Sequence, residues 1–152
     1  IRGLSVYDVR SRDHGTWHVY AVPFTSDTLF YVDESEVACS EFTLSDEGRA
    51  GVRRTDTLCG AGAVRVTGGR TWSIRDNRLE GFYCEEPLVP NPTLWTQRGA
   101  RDVVMERNIL LDCPRSISLG FFGDTRSRAY EDDPYPEVLE TIADFDSIVR
   151  SN

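Results

Sequence analysis

Two histidines, His14 and His18, could form a catalytic or metal-binding pair. They lie four positions apart and flank Trp17, so on a β-strand both side chains would face the same side. No third ligand lies near them in the sequence, and ordinary polar surface is the simpler explanation of the pair. All 17 basic residues are arginine, which excludes lysine chemistry such as Schiff-base formation.

Carboxylates offer a second kind of chemistry, because a glycoside hydrolase needs two of them with a water molecule between. Four lie where the chain is expected to turn corners, a place where acids commonly solvate a turn: Asp76, Glu80, Glu106 and Asp112. The acidic loops Glu85-Glu86 and Glu131-Asp132-Asp133 are more accessible and could bind Ca2+. Neither loop has the alternating spacing of Ca2+ ligands, so charged side chains solvated by water are the simpler explanation of both loops. The sequence assigns no catalytic residue, metal site or cofactor.

The four cysteines are Cys39, Cys59, Cys84 and Cys113, with spacings of 20, 25 and 29 residues. No C-x-x-C pair occurs, which argues against a zinc knuckle or a redox motif. Two disulfides in an extracytoplasmic protein are the expected arrangement, with free buried thiols as the alternative. Three connectivities are possible, and the spacing does not choose among them.

Length and net charge restrict the number of domains and the kinds of partner that the chain can have. The 152 residues suffice for one domain with a hydrophobic core. The net charge of -8 makes nucleic acid and anionic membrane unlikely partners, because phosphate groups bind a basic face. No stretch approaches the roughly 20 apolar residues that span a bilayer. The first residue is Ile1 and no signal peptide is visible, so we expect a mature piece or a fragment.

Alternation of polar and apolar residues predicts several short β-strands along the chain. The predicted strands are Leu4–Val9, Trp17–Val22, Thr28–Val32, Glu36–Leu44, Ala63–Thr67, Leu94–Gln97 and Ser116–Phe122. The segment from Ser45 to Gly62 is polar and predicts a loop. Residues 136–150 have apolar positions near helical spacing, which competes with a repeat that ends the chain.

That repeat is clearest in Trp72-Ser-Ile-Arg-Asp-Asn-Arg-Leu-Glu-Gly-Phe82 and returns as Val103-Val-Met-Glu-Arg-Asn-Ile-Leu-Leu-Asp-Cys113. A broken copy, Ser147-Ile-Val-Arg-Ser-Asn152, ends the chain. The pattern predicts stacked coils of short strands. Asn77, Asn108 and Asn152 would turn the corners, with Ser40 in the same column, and their side chains would bond up the stack. The predicted interior columns are Ile74, Met105 and Val149, and Phe42, Leu79 and Leu110.

These phrases, together with Asp112-Cys-Pro-Arg-Ser-Ile-Ser-Leu-Gly120, resemble the rungs of bacterial right-handed parallel β-helix proteins of the pectate-lyase-like superfamily. The resemblance covers residues 63–152 and is weak over residues 1–62. It implies an all-β right-handed parallel β-helix of about four coils, one domain over residues 1–152, incomplete at both ends.

The resemblance also implies a function, since enzymes of this superfamily bind polysaccharide along one parallel sheet. Trp stacks on sugar rings and Arg pairs with uronate carboxylates, so the candidate ligand-facing residues are Arg65, Trp95, Gln97 and Arg98. The alternative is that Trp95 is a core residue and that the arginines on these strands form a solvated face. We expect a secreted bacterial module that binds or processes a glycan, as a lyase or hydrolase if it is an enzyme. The alternative is a non-catalytic surface, adhesion or structural scaffold.

Overall fold

The structure is a computed structural model that describes residues 1–23, 30–52, 54, 58–85, 88–120, 127–132 and 144–152. It is mostly β, as the sequence predicts, with seventeen strands and one short helix in the described part. Every pair of described strands is parallel. None of the described helices is long and apolar enough to cross a membrane.

Three sheets, which we call first, second and third, contain most of the strands. The first sheet has β1 (Ser5–Tyr7), β4 (Ser35–Ala38), β8 (Trp72–Arg75), β13 (Val104–Glu106) and β17 (Ile148–Arg150). The second has β2 (Arg10–Arg12), β5 (Glu41–Thr43), β9 (Arg78–Glu80) and β14 (Ile109–Leu111). The third has β3 (Trp17–Ala21), β7 (Gly62–Thr67), β11 (Leu94–Gln97) and β15 (Ile117–Leu119).

Smaller elements fill the connections between these sheets. They are α1 (Asp46–Ala50), the pair β6 (Leu58–Cys59) and β10 (Val89–Pro90), and the pair β12 (Ala100–Arg101) and β16 (Asp144–Phe145). The predicted strand Thr28–Val32 is wrong in its described part, since Phe30 to Val32 form no strand. They lie at a corner, where the Val32 carbonyl accepts a hydrogen bond from Trp72 Nε1 at 2.7 Å.

The chain passes through the three sheets in the same order each time, and each passage adds one parallel strand to each sheet. We call one passage a coil. Met105 pairs with Ile74 and with Val149, and Leu79 pairs with Phe42 and with Leu110, so the register of the two predicted columns is confirmed. Val149, on the last strand, is nevertheless 42 % exposed. Residues 144–145 and 148–150 are strands, which favours the repeat over the helix there; residues 133–143 lie outside the described part.

Side-chain amides bond from coil to coil at the corner between the first and second sheets. Asn77 Oδ1 accepts from Ser40 N at 3.0 Å, and Asn77 Nδ2 donates to Asn108 Oδ1 at 2.9 Å. Asn108 Nδ2 in turn donates to Asn152 Oδ1 at 2.8 Å. These contacts form the ladder that the repeats predict.

The backbone of this corner differs from the expectation in one respect. The left-handed conformation belongs to the residue before each ladder position: Cys39, Asp76, Arg107 and Ser151 have φ between 50° and 57°. Asn is therefore not needed for its tolerance of positive φ. It is needed for its amide, which both donates and accepts, as a stacked column requires.

Cys59 and Cys84 form a disulfide, which ties the connection before β7 to the loop after β9. The expected second disulfide is wrong, because Cys39 and Cys113 are free thiols, one exposed and one buried. Cys39 follows β4 and Cys113 follows β14, so the two cysteines belong to coils that are two steps apart in the stack. Two steps of about 4.8 Å exceed the roughly 7 Å between Cα atoms that a disulfide spans.

A segment at residues 127–132 lies across the corner between the third and first sheets. Tyr130 is buried there, and its hydroxyl donates to the Gly99 carbonyl at 2.6 Å. Arg128 donates to both carboxylate oxygens of Asp33, at 2.5 and 2.8 Å, and to the Gly68 carbonyl at 2.7 Å. One segment thus holds the corners of successive coils together.

Candidate functional site

The outer face of the third sheet carries the residue types that recognise sugars. Val64 pairs with Leu94 and Val66 with Thr96, and all four side chains are buried in the interior. Because side chains alternate along a strand, the intervening residues point outward. Register then places Tyr20, Arg65, Trp95 and Ser118 on four neighbouring strands, in one line that we call the outer row.

Three aromatic rings surround the guanidinium of Arg65. Its Cζ lies 4.6 Å from the ring centre of Trp95, 5.2 Å from that of Tyr20 and 5.8 Å from that of Trp17. Trp17 stacks on Tyr20 with ring centres 6.2 Å apart and lies 6.0 Å from Trp95. A cation among aromatic faces is attracted to each of them, so these contacts hold the rings and the guanidinium in one rigid cluster.

Gly62 explains how Trp17 reaches this cluster. The Trp17 ring lies over the Gly62 Cα, where a Cβ would collide with the ring and with the Pro92 carbonyl. Glycine is therefore required at this position by close packing rather than by backbone conformation. Trp17 is 6 % exposed and supports the cluster from below, whereas Tyr20 is 52 % exposed and Trp95 is half-buried.

Gln97 has a different role from the one that the sequence predicts. Its side chain is fully buried, so it is a support for the site rather than a ligand contact. With its amide oxygen turned towards Arg65, it accepts from Arg65 Nε at 3.0 Å and Nη2 at 2.5 Å, and from the Thr67 hydroxyl at 3.0 Å. Gln97 therefore fixes the orientation of the guanidinium in the outer row.

Burial lowers the pKa of the Arg65 guanidinium, and the charge of Arg98 lowers it further, while Tyr20 raises it. Arg65 nevertheless stays protonated, because an arginine is not deprotonated in proteins. Arg98 follows Gln97 at a corner with φ of 57° and is half-buried. Its Nε is buried and makes no hydrogen bond within the described part of the chain. The site is thus apolar on its rings and positive at its edge.

The two histidines come close together, with ring centres 5.7 Å apart, but only His14 is exposed. His18 packs against Phe42 and Phe82, and its Nδ1 lies 2.8 Å from Ser11 Oγ. Burial and, to a smaller extent, the neighbouring His14 together lower the pKa of His18 to about 4. A neutral ring held in the core is suited to packing rather than to proton transfer at neutral pH.

Ion pairs occupy four of the seven candidate carboxylates that the structure describes. Asp76 binds Arg107 at 2.7 Å and Arg75 at 2.9 Å, and these hydrogen bonds lower its pKa to about 2. Glu106 binds Arg107 and Arg150, which lowers its pKa too. Two further candidates are likewise paired, Glu80 with Arg78 and Asp132 with Arg70.

The remaining acids give no metal site in the described residues. No group of three or more His, Cys, Asp or Glu side chains there could hold a metal ion. Glu86 and Asp133, from the two acidic loops, lie outside the described residues. Asp112 and Glu85 have no ion pair to a described residue.

Sequence reasoning missed Tyr20 and Trp17 as members of the site. The alternation of β3 was visible, but Tyr20 and Arg65 are separated by a connection of a different length from the one between Arg65 and Trp95. Only the strand register of the third sheet shows that Tyr20 and Arg65 are neighbours.

No protein-family model, curated protein or solved structure matches this chain.

Proposed function

We propose that the coils wind as a right-handed parallel β-helix of the pectate-lyase-like kind, and that its third sheet binds a glycan on the outer face. The handedness rests on a general rule, because crossovers between parallel strands of one sheet are right-handed in about 98 % of cases. The function rests on one observation, the outer row in which Tyr20 and Trp95 flank Arg65.

Aromatic rings bind sugars through the apolar C–H faces of the sugar rings. Tyr20 lies on β3 and Trp95 on β11, with β7 between them. Since neighbouring strands are about 4.8 Å apart, the two rings are separated by about 10 Å along the stacking direction of the coils. A glycan chain would therefore lie across the strands and parallel to the stack, contacting Tyr20 and Trp95 in succession.

Binding is proposed rather than a particular reaction. Glu106 on the first sheet and Asp76 at the corner beside it are ion-paired, away from the outer row, and His18 is packed in the core. A secreted, bacterial module is part of the proposal, and the disulfide is compatible with an extracytoplasmic location.

The test is calorimetric titration of the protein with neutral and uronate-containing oligosaccharides, with and without Ca2+. Trp95→Ala and Tyr20→Ala should each weaken binding by about tenfold or more, because each removes a stacking face. Tyr7→Ala is the matched control, since Tyr7 is 59 % exposed on the outer face of the first sheet.

Two results would decide against the proposal. Absence of binding across the panel favours the non-catalytic scaffold, in which the coils only display loops. Equal losses in Tyr7→Ala and Trp95→Ala would place the glycan elsewhere. Release of an unsaturated product that absorbs in the ultraviolet would add lyase activity to the binding function.

A further inference from the structure

The disulfide between Cys59 and Cys84 forms part of the wall of a cleft of about 180 Å³. Cys59 is buried and Cys84 is half-buried, so Cys84 is the more accessible of the two. The charged residues that line the same cleft are Asp46, Arg49, Arg54 and Glu85. Asp46 and Arg49 pair with each other, so the charges of Arg54 and Glu85 are the ones that act on the sulfur atoms.

These two charges distinguish the two cysteines. Arg54 forms an antiparallel bridge with Cys59, and residues directly opposite in such a bridge have their side chains on the same face. A cation beside a sulfur atom stabilises its thiolate, so Arg54 favours a thiolate at Cys59. Glu85 follows Cys84 directly and disfavours a thiolate there. Because the sulfur with the more stable thiolate is the better leaving group, these charges favour attack at Cys84 and departure of Cys59.

The disulfide also holds the small strand pair of β6 and β10. Each strand has only two residues, and Cys59 pairs with Pro90. Asn91 N donates to the Cys59 carbonyl at 3.2 Å. A two-stranded pair is marginally stable even when it is longer. The pair therefore depends on the covalent link from Cys59 to Cys84.

Both strands of this pair lead directly into the outer row. β6 is followed by Gly62, the first residue of β7, and β10 is followed by Pro92, which precedes β11 and Trp95. The Pro92 carbonyl and the Trp17 ring pack against the same side of Gly62. Trp17 in turn packs against the rings of the outer row. Separation of β6 from β10 would therefore displace Trp17 and loosen the aromatic cluster.

We propose that the cleft is a thiol–disulfide exchange site, and that opening of the Cys59–Cys84 bond by a dithiol loosens the outer row. One thiolate of the dithiol attacks Cys84 Sγ and forms a mixed disulfide, while Cys59 leaves as a thiolate and takes up a proton. The second thiolate then attacks the dithiol's own sulfur in the mixed disulfide and releases Cys84. Two electrons and two protons pass from the dithiol to the two cysteines, and the dithiol becomes a disulfide.

The exchange step is tested in the Cys39→Ser protein, which lacks the exposed free thiol. Dithiothreitol is added without denaturant, the protein is alkylated with iodoacetamide, and peptide mass mapping identifies the modified cysteines. Cys59 and Cys84 should become alkylated, whereas the buried Cys113 should stay unmodified. A disulfide that resists dithiothreitol until the circular dichroism of the fold is lost overturns the exchange site.

Arg54→Gln tests the assignment of the leaving group. The variant should slow the reduction by about threefold or more, because the Cys59 thiolate loses its neighbouring cation. Arg115→Gln is the matched control, since Arg115 is also an exposed arginine but does not line the cleft. Equal rates of reduction in the two variants overturn the role of Arg54.

The 15N–1H resonances of the indole groups report the link to the outer row without a glycan. Of the three tryptophans, Trp17 and Trp95 belong to the aromatic cluster, whereas Trp72 is buried on the first sheet. Reduction should shift the first two resonances and leave that of Trp72 in place. The double variant Cys59→Ser/Cys84→Ser should show the same shifts without a reductant. Three unchanged resonances overturn the link, and so does a change in all three, which indicates general unfolding.

The effect on ligand binding rests on the proposed function, and the two can fail separately. The reduced protein should bind the glycan about tenfold more weakly in the calorimetric titration. Shifts of Trp17 and Trp95 without glycan binding in either state support the exchange site and reject the glycan. Glycan binding that is equally tight before and after reduction rejects the link to the outer row and leaves the proposed function standing.

Discussion

Replacement of Asn108 by leucine tests whether the amide ladder stabilises the stack of coils. Asn108 Oδ1 accepts from Asn77 N at 3.2 Å and from Asn77 Nδ2 at 2.9 Å. Its Nδ2 donates to the Ile74 carbonyl at 2.9 Å and to Asn152 Oδ1 at 2.8 Å. Leucine removes all four hydrogen bonds and leaves the buried backbone N–H of Asn77 without its partner, whereas Asn77 Nδ2 keeps the Val37 carbonyl.

The expected cost follows from these four contacts. A net value of about 1 kcal/mol for each gives about 4 kcal/mol, and the apolar surface of leucine reduces this to about 3 kcal/mol. Asn152→Leu is the internal comparison, because Asn152 is exposed. Its Nδ2 donates to the Met105 carbonyl and its Oδ1 accepts from the N and Nδ2 of Asn108, but water can reach this end of the ladder and replace the lost partners. We expect about 1 kcal/mol there. The measurement is urea denaturation followed by far-ultraviolet circular dichroism, with free energies of unfolding from linear extrapolation.

Asn108→Asp separates the donor function of the amide from its shape. The aspartate keeps the acceptor oxygen but faces the Ile74 carbonyl and Asn152 Oδ1, both acceptors, with a charge. Its folded-state pKa should therefore lie above the unfolded value, so the penalty is full above the folded pKa and shrinks as the pH falls through it. A leucine variant that costs less than about 1 kcal/mol, or no more than Asn152→Leu, would refute the ladder as a stabilising element.

Two further predictions concern other parts of the fold. His18 is neutral in the core with a pKa of about 4, so the free energy of unfolding should fall by about 1–2 kcal/mol as the pH drops from 6.5 to 4, after allowance for partial exposure. His18→Gln should lose that dependence in acid-titrated urea melts, whereas His14→Gln, at the exposed ring, should keep it. Arg128→Gln leaves the half-buried Asp33 with the Arg70 backbone N–H as its remaining hydrogen-bond donor and should destabilise the protein by about 1–3 kcal/mol in the same assay, against at most about 1 kcal/mol for the exposed Arg10→Gln.

The corner column was predictable because Asn77 and Asn108 are identical residues at equal positions in two repeats. A constant spacing also carried the interior columns through Ile74 and Met105, since the coil between them has no insertion. Where neighbouring coils have the same length, sequence self-similarity therefore gives the strand register directly.

The candidate site was only half predictable for the opposite reason. Tyr20 pairs with Arg65, 45 positions later, whereas Arg65 pairs with Trp95 only 30 positions later. The longer connection contains α1 and β6, so no fixed period leads from Arg65 back to Tyr20. The inward orientation of His18 could not be predicted either, because strand alternation alone does not show that its ring packs against Phe42.

The outer faces of the first and third sheets have different charge patterns, and this difference supports the binding face that we propose. On the first sheet, Glu106 binds Arg107 and Arg150, so opposite charges meet from coil to coil. Such alternation stabilises a stack, since like charges on adjacent strands repel. The third sheet instead presents Arg65 and Arg98, and neither makes an ion pair with a described carboxylate. Burial and the charge of Arg98 both lower the pKa of Arg65. A stack built for stability alone would place carboxylates beside them, as it does on the first sheet. The absence of a described carboxylate from the outer row therefore supports the third sheet, rather than the first, as the proposed binding face.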